Sequence, residues 1–256
     1  MEENSWWTPK NLKEAEKAFR GELNLGEINT KNDFGSYKVM LEKNDLEYSK
    51  ISLHNDLSPE YKIRYLKKLV KIQNNFKRIY DVGCGLGFTT NALSQFYLNY
   101  EIVGIDISND AIEFGKSNFK TCKFQSEVID PEDKSQKFKA DMICAFEFYP
   151  FTRTDDLTSH IEFISHFSKD LDRNGKIIIF QKWNNPKSLS KNYEILKTKF
   201  PNLWFEDYFI PPKKIAKVFK SRLLSNLVSA ILLRVLKLTT NYQMGIQKMI
   251  VLTKVY

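Results

Sequence analysis

The chain has 256 residues, of which 42% are hydrophobic and 27% charged, a balance that is typical of folded proteins and excludes a disordered chain. Its three cysteines show no Cys-x-x-Cys spacing, which argues against a disulfide framework and a zinc site, so no metal is predicted. The net charge of +8 is concentrated near the C-terminus, because nine basic residues and no acid follow Asp207.

The N-terminal part of the chain is polar and shows no clear strand. Its first residues lack the basic and apolar regions of a secretory signal, so we expect a cytoplasmic protein. Ser58 and Pro59 provide an N-cap and a first-turn proline, and a helix is predicted from there to about Gln73. Residues 1–75 are predicted to form a helical or irregular cap, and residues 76–256 the main domain.

Short apolar runs alternate with helical stretches in the centre of the chain. Strands are predicted at 78–82, 101–105, 122–128, 141–146 and 176–181. Helical periodicity is found at 88–97, 110–119, 155–171 and 186–200. This alternation predicts an α/β fold with a doubly wound, Rossmann-like, mostly parallel sheet that carries helices on both faces. Functional residues are then expected at the carboxyl ends of the strands.

The C-terminal part is distinguished by its basic charge. Strands are predicted at 204–210 and 247–254, and the helical insertion between them, 211–244, includes a basic amphipathic helix at 213–238. Polar residues interrupt the apolar stripe of this helix, so it is too polar to span a bilayer. Three roles stay open for it: a lid or dimer contact, a contact with an anionic group of a substrate, and a contact with a membrane surface. We expect a monomer or a homodimer.

A glycine-rich loop, Asp81-Val82-Gly83-Cys84-Gly85-Leu86-Gly87, links the first predicted strand to the next helix. Glycines let the backbone turn sharply and let a ligand approach it closely. A dinucleotide site would need its third glycine at position 88, which is Phe, so the loop argues against NAD. Asp106 follows the second predicted strand, where its carboxylate could accept two hydrogen bonds from a ribose diol.

Loop and acid together resemble those of the class I S-adenosylmethionine-dependent methyltransferases, and the resemblance extends over residues 78–182. It implies that S-adenosylmethionine is the cofactor and that Asp106 binds both of its ribose hydroxyls. It further implies that Asp81 helps to place the cofactor's amino group and that Ile107 packs on the adenine. The loop residues implied to lie along the methionine part are Gly83, Cys84, Gly85 and Gly87. Either Glu127 or Asp130 is implied to meet the adenine amine.

The residues after the fourth predicted strand, 147–154, face the methyl acceptor in this family. They contain neither the N-P-P-Y type of tetrad that marks adenine-amine methylation nor the Pro-Cys pair of cytosine methyltransferases, and only seven of the 39 basic residues are arginines. A small-molecule acceptor is therefore favoured, and we expect the methyl group to be transferred to oxygen. The stretch also resembles one of bacterial surface-glycan methyltransferases, which implies a sugar or a phosphate-bearing intermediate. A nucleic-acid methyltransferase and a non-catalytic protein that retains the fold are the alternatives.

Three residues are candidates for the base that removes a proton from the acceptor. Glu147 could instead hold an acceptor hydroxyl or only satisfy backbone amides, and His160 and His54 could each be structural. The residues expected to contact the acceptor are Tyr149 and Phe151, as walls of its pocket, and Arg153, as a clamp for a phosphate or carboxylate unless it forms an ordinary salt bridge.

Overall fold

The computed structural model of the protein describes residues 58–72, 77–182, 187–210 and 247–255. Its helices there are α1 (Pro59–Leu69), α2 (Phe88–Phe96), α3 (Asn109–Asn118), α4 (Tyr149–Thr152), α5 (Leu157–Lys169) and α6 (Tyr193–Lys199), with a 3-10 turn at Leu189–Asn192. The strands are β1 (Arg78–Val82), β2 (Glu101–Asp106), β3 (Lys123–Ser126), β4 (Met142–Phe146), β5 (Lys176–Lys182), β6 (Leu203–Ile210) and β7 (Gln247–Lys254). The predicted cap up to residue 57 and the predicted insertion 211–244 lie outside the described residues.

The seven strands form one sheet in the order β3-β2-β1-β4-β5-β7-β6. The first five strands pair in parallel, and β7 runs antiparallel between β5 and β6. The order of the strands reverses between β1 and β4, and ligands of such sheets bind outside the carboxyl ends at this point. This topology confirms the predicted doubly wound, mostly parallel α/β sheet.

Apolar side chains cover both faces of the sheet. Every residue of β4 is buried, as expected for a parallel strand that has helices on both sides. One core cluster includes Phe163 and Phe167 of α5, and the other includes Ile63 and Leu66 of α1. Helix α1 packs against α2, so the segment before the sheet is part of the same core.

Some element boundaries differ from those predicted. The third strand is shorter than the predicted 122–128, and the predicted helix at 186–200 opens with a 3-10 turn before α6. Helix α1 ends at Leu69 instead of about Gln73, because Val70 is already extended while its amide closes the last turn on Leu66. The short helix α4 was not predicted, although Pro150 stands in its first turn, where proline favours a helix start.

Candidate active site

The glycine loop joins β1 to α2 at the carboxyl edge of the sheet. Gly83 and Gly87 have φ angles of +68° and +84°, in the left-handed region that favours glycine. A Cβ on Gly83 would lie 2.8 Å from the ring of Phe148. One on Gly87 would lie 2.4 Å from the ring of Phe124, so larger residues are excluded at both positions. The amide of Gly83 donates a 2.8 Å hydrogen bond to the carbonyl of Ile105, which ties the loop to β2.

Asp106 ends β2 beside this loop and is only 7% exposed. Its Oδ2 accepts a 2.8 Å hydrogen bond from the amide of Gly85, and its Oδ1 accepts a 2.9 Å bond from the amide of Ser108. Burial raises the pKa of this carboxyl, while the bonds from Ser108 and Gly85 oppose the rise. The carboxylate thus shapes the loop, and after the backbone bonds from Gly85, Ser108 and Ile107 it retains accepting capacity for a ligand.

Asp81 lies near the end of β1 and is 1% exposed. Its Oδ2 accepts a 2.7 Å hydrogen bond from Oγ1 of Thr90, whereas its buried Oδ1 has no hydrogen-bond partner in the described residues. Burial raises the pKa of Asp81 to about 7, the Thr90 bond lowers it, the charge of Asp106 adds to the rise, and Lys62 opposes it. Because an unpaired buried oxygen costs free energy, this position suits a ligand that brings a donor, above all a cationic one.

Lys62 is a further candidate residue for this site, and the sequence did not reveal it. It is half-buried on α1, where burial lowers the pKa of its ammonium and the carboxylates of Glu147 and Asp81 raise it. Lys62 shares one face of the helix with the buried residues Pro59 and Leu66, three positions before and four after it. A charged residue on the apolar face of the predicted helix was the feature of the sequence that could have marked Lys62 as a candidate.

Glu147 directly follows β4 and has a φ angle of +56°, which residues other than glycine seldom adopt. Its amide donates a 3.1 Å hydrogen bond to the carbonyl of Phe180, and its carbonyl accepts a 2.6 Å bond from Nη1 of Arg153. Such a backbone conformation costs about 1–3 kcal/mol and is found most often at functional sites. Arg153, predicted as a clamp for an anion, here uses one of its donors to hold this turn.

The other residues expected to contact the methyl acceptor or to act as its base differ in how far they are buried. Phe151 and His160 are both fully buried, with ring centroids 6.2 Å apart. Nδ1 of His160 lies 3.1 Å from Nδ2 of Asn192, and burial lowers the pKa of the imidazole. Neither side chain has exposed surface in this structure, and the roles expected for them, His160 as a base and Phe151 as a pocket wall, stay predictions. Tyr149 is half-buried and remains available as a wall, and His54 lies outside the described residues.

The residues expected around the adenine lie after β2 and β3. Ile107 follows Asp106 and is half-buried. Glu127 is exposed, and its amide donates a 3.1 Å hydrogen bond to the carbonyl of Asp106. Asp130 turns into its own loop, where Oδ1 accepts a 2.9 Å bond from the amide of Glu132. Glu127 is therefore the acid that is tied directly to the end of β2.

Within the described ranges, no three His, Cys, Asp or Glu side chains come together in a way that could hold a metal ion. The helices of those ranges are too short or too polar to cross a membrane.

A family model described as "Methyltransferase domain" matches residues 73–222, which is more than half of the chain. The chain belongs to this family. The matched region contains the glycine loop, Asp106 and Glu147, and it confirms the resemblance to the class I S-adenosylmethionine-dependent methyltransferases. The chain is 25% identical over 168 residues to the protein 235L of Invertebrate iridescent virus 6, which is named as a methyltransferase. The alignment covers 66% of this chain and 59% of the viral protein, so the chain spans about three fifths of that relative's length.

Several solved structures resemble the chain in fold. The plantazolicin methyltransferase BpumL, in complex with a triazolic desmethylPZN analog and S-adenosylhomocysteine, is 16% identical with a TM-score of 0.55, covering 97% of this chain and 100% of that one. Phospholethanolamine N-methyltransferase 2 of Haemonchus contortus, in complex with phosphomonomethylethanolamine and S-adenosylhomocysteine, is 15% identical with a TM-score of 0.58, covering 91% and 62%. A TehB-like S-adenosylmethionine-dependent methyltransferase of Corynebacterium glutamicum is 16% identical with a TM-score of 0.52, covering 86% and 97%. At these identities the likeness shows the shared fold.

Proposed function

We propose that this methyltransferase transfers the methyl group of S-adenosylmethionine to a hydroxyl group of a small molecule. The observation that carries the cofactor assignment is the buried Oδ1 of Asp81, which has no hydrogen-bond donor in the described residues. The ammonium of the cofactor's methionine part would supply both a donor and a compensating charge. The residues present at the glycine loop therefore fit this cofactor.

The other groups around Asp81 match the remaining parts of the cofactor. Lys62 offers a cation for the methionine carboxylate, since it interacts electrostatically with Asp81. Asp106 has lone pairs left for the ribose hydroxyls, and the side chain of Ile107 is partly exposed for packing on the adenine. At Gly85 the backbone carries no Cβ, so the methionine part could approach the loop closely.

Glu147 is the residue we assign to the acceptor's proton. When bound, S-adenosylmethionine supplies an electrophilic methyl group and leaves as a neutral thioether. The protein must align the acceptor oxygen with that methyl group and remove the hydroxyl proton, which the carboxylate of Glu147 would accept. The turn at Glu147, whose carbonyl accepts a hydrogen bond from Arg153, and the electrostatic interaction of Glu147 with Lys62 support this role.

A small acceptor is supported by the lack of nucleic-acid methylation motifs in residues 147–154 and by the few arginines. Two of the similar solved structures are complexes with small compounds, a triazolic desmethylPZN analog and phosphomonomethylethanolamine, which also supports this class. A sugar or phosphate-bearing intermediate of a surface glycan is our more specific proposal, and it rests on the resemblance of residues 147–154. A cytoplasmic location and a monomer or homodimer complete the proposal.

Methyl transfer can be tested with labelled S-adenosylmethionine on the purified full chain. Separate reactions contain a filtered small-molecule extract, RNA or DNA, and we expect label in the small-molecule fraction. Glu147→Gln should lower turnover about 100-fold or more while affinity for S-adenosylhomocysteine is retained. Glu113→Gln, an exposed change on α3, serves as the matched control and should leave turnover unchanged.

The other outcomes separate the alternatives. Label in nucleic acid would overturn the small-molecule assignment. Binding of S-adenosylhomocysteine without transfer to any fraction would favour the non-catalytic alternative, and a folded chain that does not bind it would overturn the cofactor assignment.

A further inference from the structure

Gln136 is a buried amide in the connection between β3 and β4, and it is 8% exposed. Its Nε2 donates one hydrogen bond to Oε1 of Glu127 and another, of 3.0 Å, to the carbonyl of Val128. Its Oε1 accepts a 3.2 Å bond from the amide of Asp130 and lies 2.9 Å from Nε2 of His166. Both ends of this amide are thus engaged, and one side chain ties together the loop that follows β3.

His166 fixes which way the Gln136 amide points. Oε1 of Gln136 can only accept, so Nε2 of His166 carries the hydrogen in this pair. Nδ1 of His166 lies 3.4 Å from Nζ of Lys169, which can only donate, so Nδ1 keeps its lone pair. Burial lowers the pKa of His166 to about 4, and its ring packs edge-on against Phe138 with centroids 5.4 Å apart. The imidazole is therefore a neutral, immobile anchor on α5.

Glu127 is the member of this network that reaches the cofactor region. Its amide donates a 3.1 Å hydrogen bond to the carbonyl of Asp106, the residue that we assign to the ribose. Gln136 occupies Oε1 of Glu127, and a carboxylate has a second oxygen that can accept from a ligand. Asp130 belongs to the loop itself, since it donates its amide to Gln136 and accepts the amide of Glu132.

We propose that Gln136, anchored by His166, is a positioning residue: it holds the carboxylate of Glu127, one of the two acids that the family resemblance implies for the adenine amine, in place for that amine. The inference rests on the proposed use of S-adenosylmethionine and adds a residue that sets nucleobase selectivity. Without the amide of Gln136, the exposed Glu127 side chain would rotate freely in solvent and lose side-chain entropy on each binding event.

The test compares two ligands by calorimetry: S-adenosylhomocysteine and S-inosylhomocysteine, in which a carbonyl oxygen replaces the adenine amine. The unsubstituted protein should prefer the adenine ligand by about tenfold or more, because a carboxylate repels a carbonyl oxygen and pairs with an amine. Gln136→Leu should reduce this preference at least about threefold, as expected for a displaced charged hydrogen bond. Gln125→Leu, an exposed change on β3, is the matched control and should keep the full preference.

The ratio of the affinities for the two ligands distinguishes a positioning role of Gln136 from general damage to the fold, because a destabilised fold would weaken the binding of both ligands alike. His166→Phe provides a second route to the same result if Gln136→Leu does not fold, since it removes the anchor and retains a ring. A folded Gln136→Leu or His166→Phe variant that keeps the full preference for S-adenosylhomocysteine over S-inosylhomocysteine would overturn the inference. The inference would also be wrong if Asp130→Asn lost this preference while Glu127→Gln kept it. Failure of the unsubstituted protein to bind S-adenosylhomocysteine would instead overturn the proposed function, and this inference with it.

Discussion

Thr90 donates a 2.7 Å hydrogen bond to Oδ2 of Asp81, and the other oxygen of this buried carboxylate has no partner within the described residues. The bond from Thr90 favours the ionised form, but burial outweighs it and raises the pKa of Asp81 to about 7. Asp81 therefore changes its protonation near neutral pH when no ligand is bound. A ligand that brings an ammonium to Oδ1 must bind the ionised form more tightly than the protonated one.

We expect the affinity for S-adenosylhomocysteine to rise with pH between about 6 and 8. Below a pKa of about 7 most Asp81 carboxyls are protonated, and only the ionised fraction offers full charge to the ligand's ammonium. That fraction increases about tenfold over this range, so the apparent Kd should fall by up to about tenfold. Calorimetry at constant ionic strength measures the change, and binding below pH 7 should release protons.

Asp81→Asn is the control for this titration, because it keeps the size of the side chain and removes its ionisation. Its affinity should be lower than that of the unsubstituted protein at pH 8 and nearly independent of pH. Burial lowers the pKa of His166 to about 4, so this imidazole does not titrate in the same range. A pH dependence that persists in Asp81→Asn would assign the titration to another group.

Asp106→Ala should weaken binding of S-adenosylhomocysteine about tenfold or more, because hydrogen bonds to a carboxylate contribute about 1.5–3 kcal/mol each. It should also lower the free energy of unfolding, since the amides of Gly85 and Ser108 lose their acceptor at a cost of about 1–3 kcal/mol each. Calorimetry and urea denaturation measure the two effects.

A 2′-deoxyribose analogue of S-adenosylhomocysteine separates the ribose contact from the loosened loop. The unsubstituted protein should bind this analogue more weakly than the parent ligand, whereas Asp106→Ala should bind the two alike. If the analogue lost the same affinity relative to the parent ligand in the unsubstituted protein and in Asp106→Ala, Asp106 would not bind the 2′-hydroxyl.

The strands and the glycine loop that form the site could be predicted from the sequence, because the residues that indicate them lie close together in the chain. The acid and glycines of residues 81–87 follow each other directly, and the closing strand at 247–254 has the predicted bounds. The part that we propose for Lys62 depends on the packing of α1 against α2 and on its electrostatic interaction with Asp81 and Glu147. Periodicity placed a charge on the apolar face of α1, but it could not show which groups this charge would meet.

The burial of the residues that follow β4 was the other feature that the sequence could not predict. Helix α4 turns Phe151 inward onto Phe163 and Phe167, and His160 pairs with Asn192 from a distant part of the chain. Contacts between residues so far apart in sequence leave no local pattern. Which residues after β4 face the acceptor is therefore decided by tertiary packing.

Gly87→Ala should lower the free energy of unfolding by at least about 2 kcal/mol, from backbone strain and overpacking together. The φ angle of Gly87 is +84°, and its added Cβ would meet the ring of Phe124 at 2.4 Å. Urea denaturation followed by circular dichroism measures the loss. Adding Phe124→Leu to Gly87→Ala should restore the part of the lost free energy of unfolding that is due to the contact with the ring. If this second change restores nothing, the whole loss is due to backbone strain.

Lys62→Gln should weaken S-adenosylhomocysteine about tenfold, as expected for the loss of a charge-assisted bond to the methionine carboxylate. The affinity for 5′-methylthioadenosine should not change, because that ligand lacks both the carboxylate and the ammonium. Lys68→Gln, an exposed change on the same helix, is the matched control and should affect neither ligand. Equal losses for the two ligands would contradict a contact with the carboxylate. A rise in the acceptor's KM at constant cofactor affinity would place Lys62 against the acceptor instead.

The pH profile gives an independent measure of where the Lys62 ammonium lies. Its charge lowers the pKa of Asp81, so removing it should raise that pKa further. The pH at which S-adenosylhomocysteine binding reaches half of its full strength should therefore move upward in Lys62→Gln and stay in place in Lys68→Gln. This shift requires only that Lys62 and Asp81 be close, so it should appear whichever ligand group the ammonium contacts. A midpoint that does not move would show that the two side chains do not interact in solution.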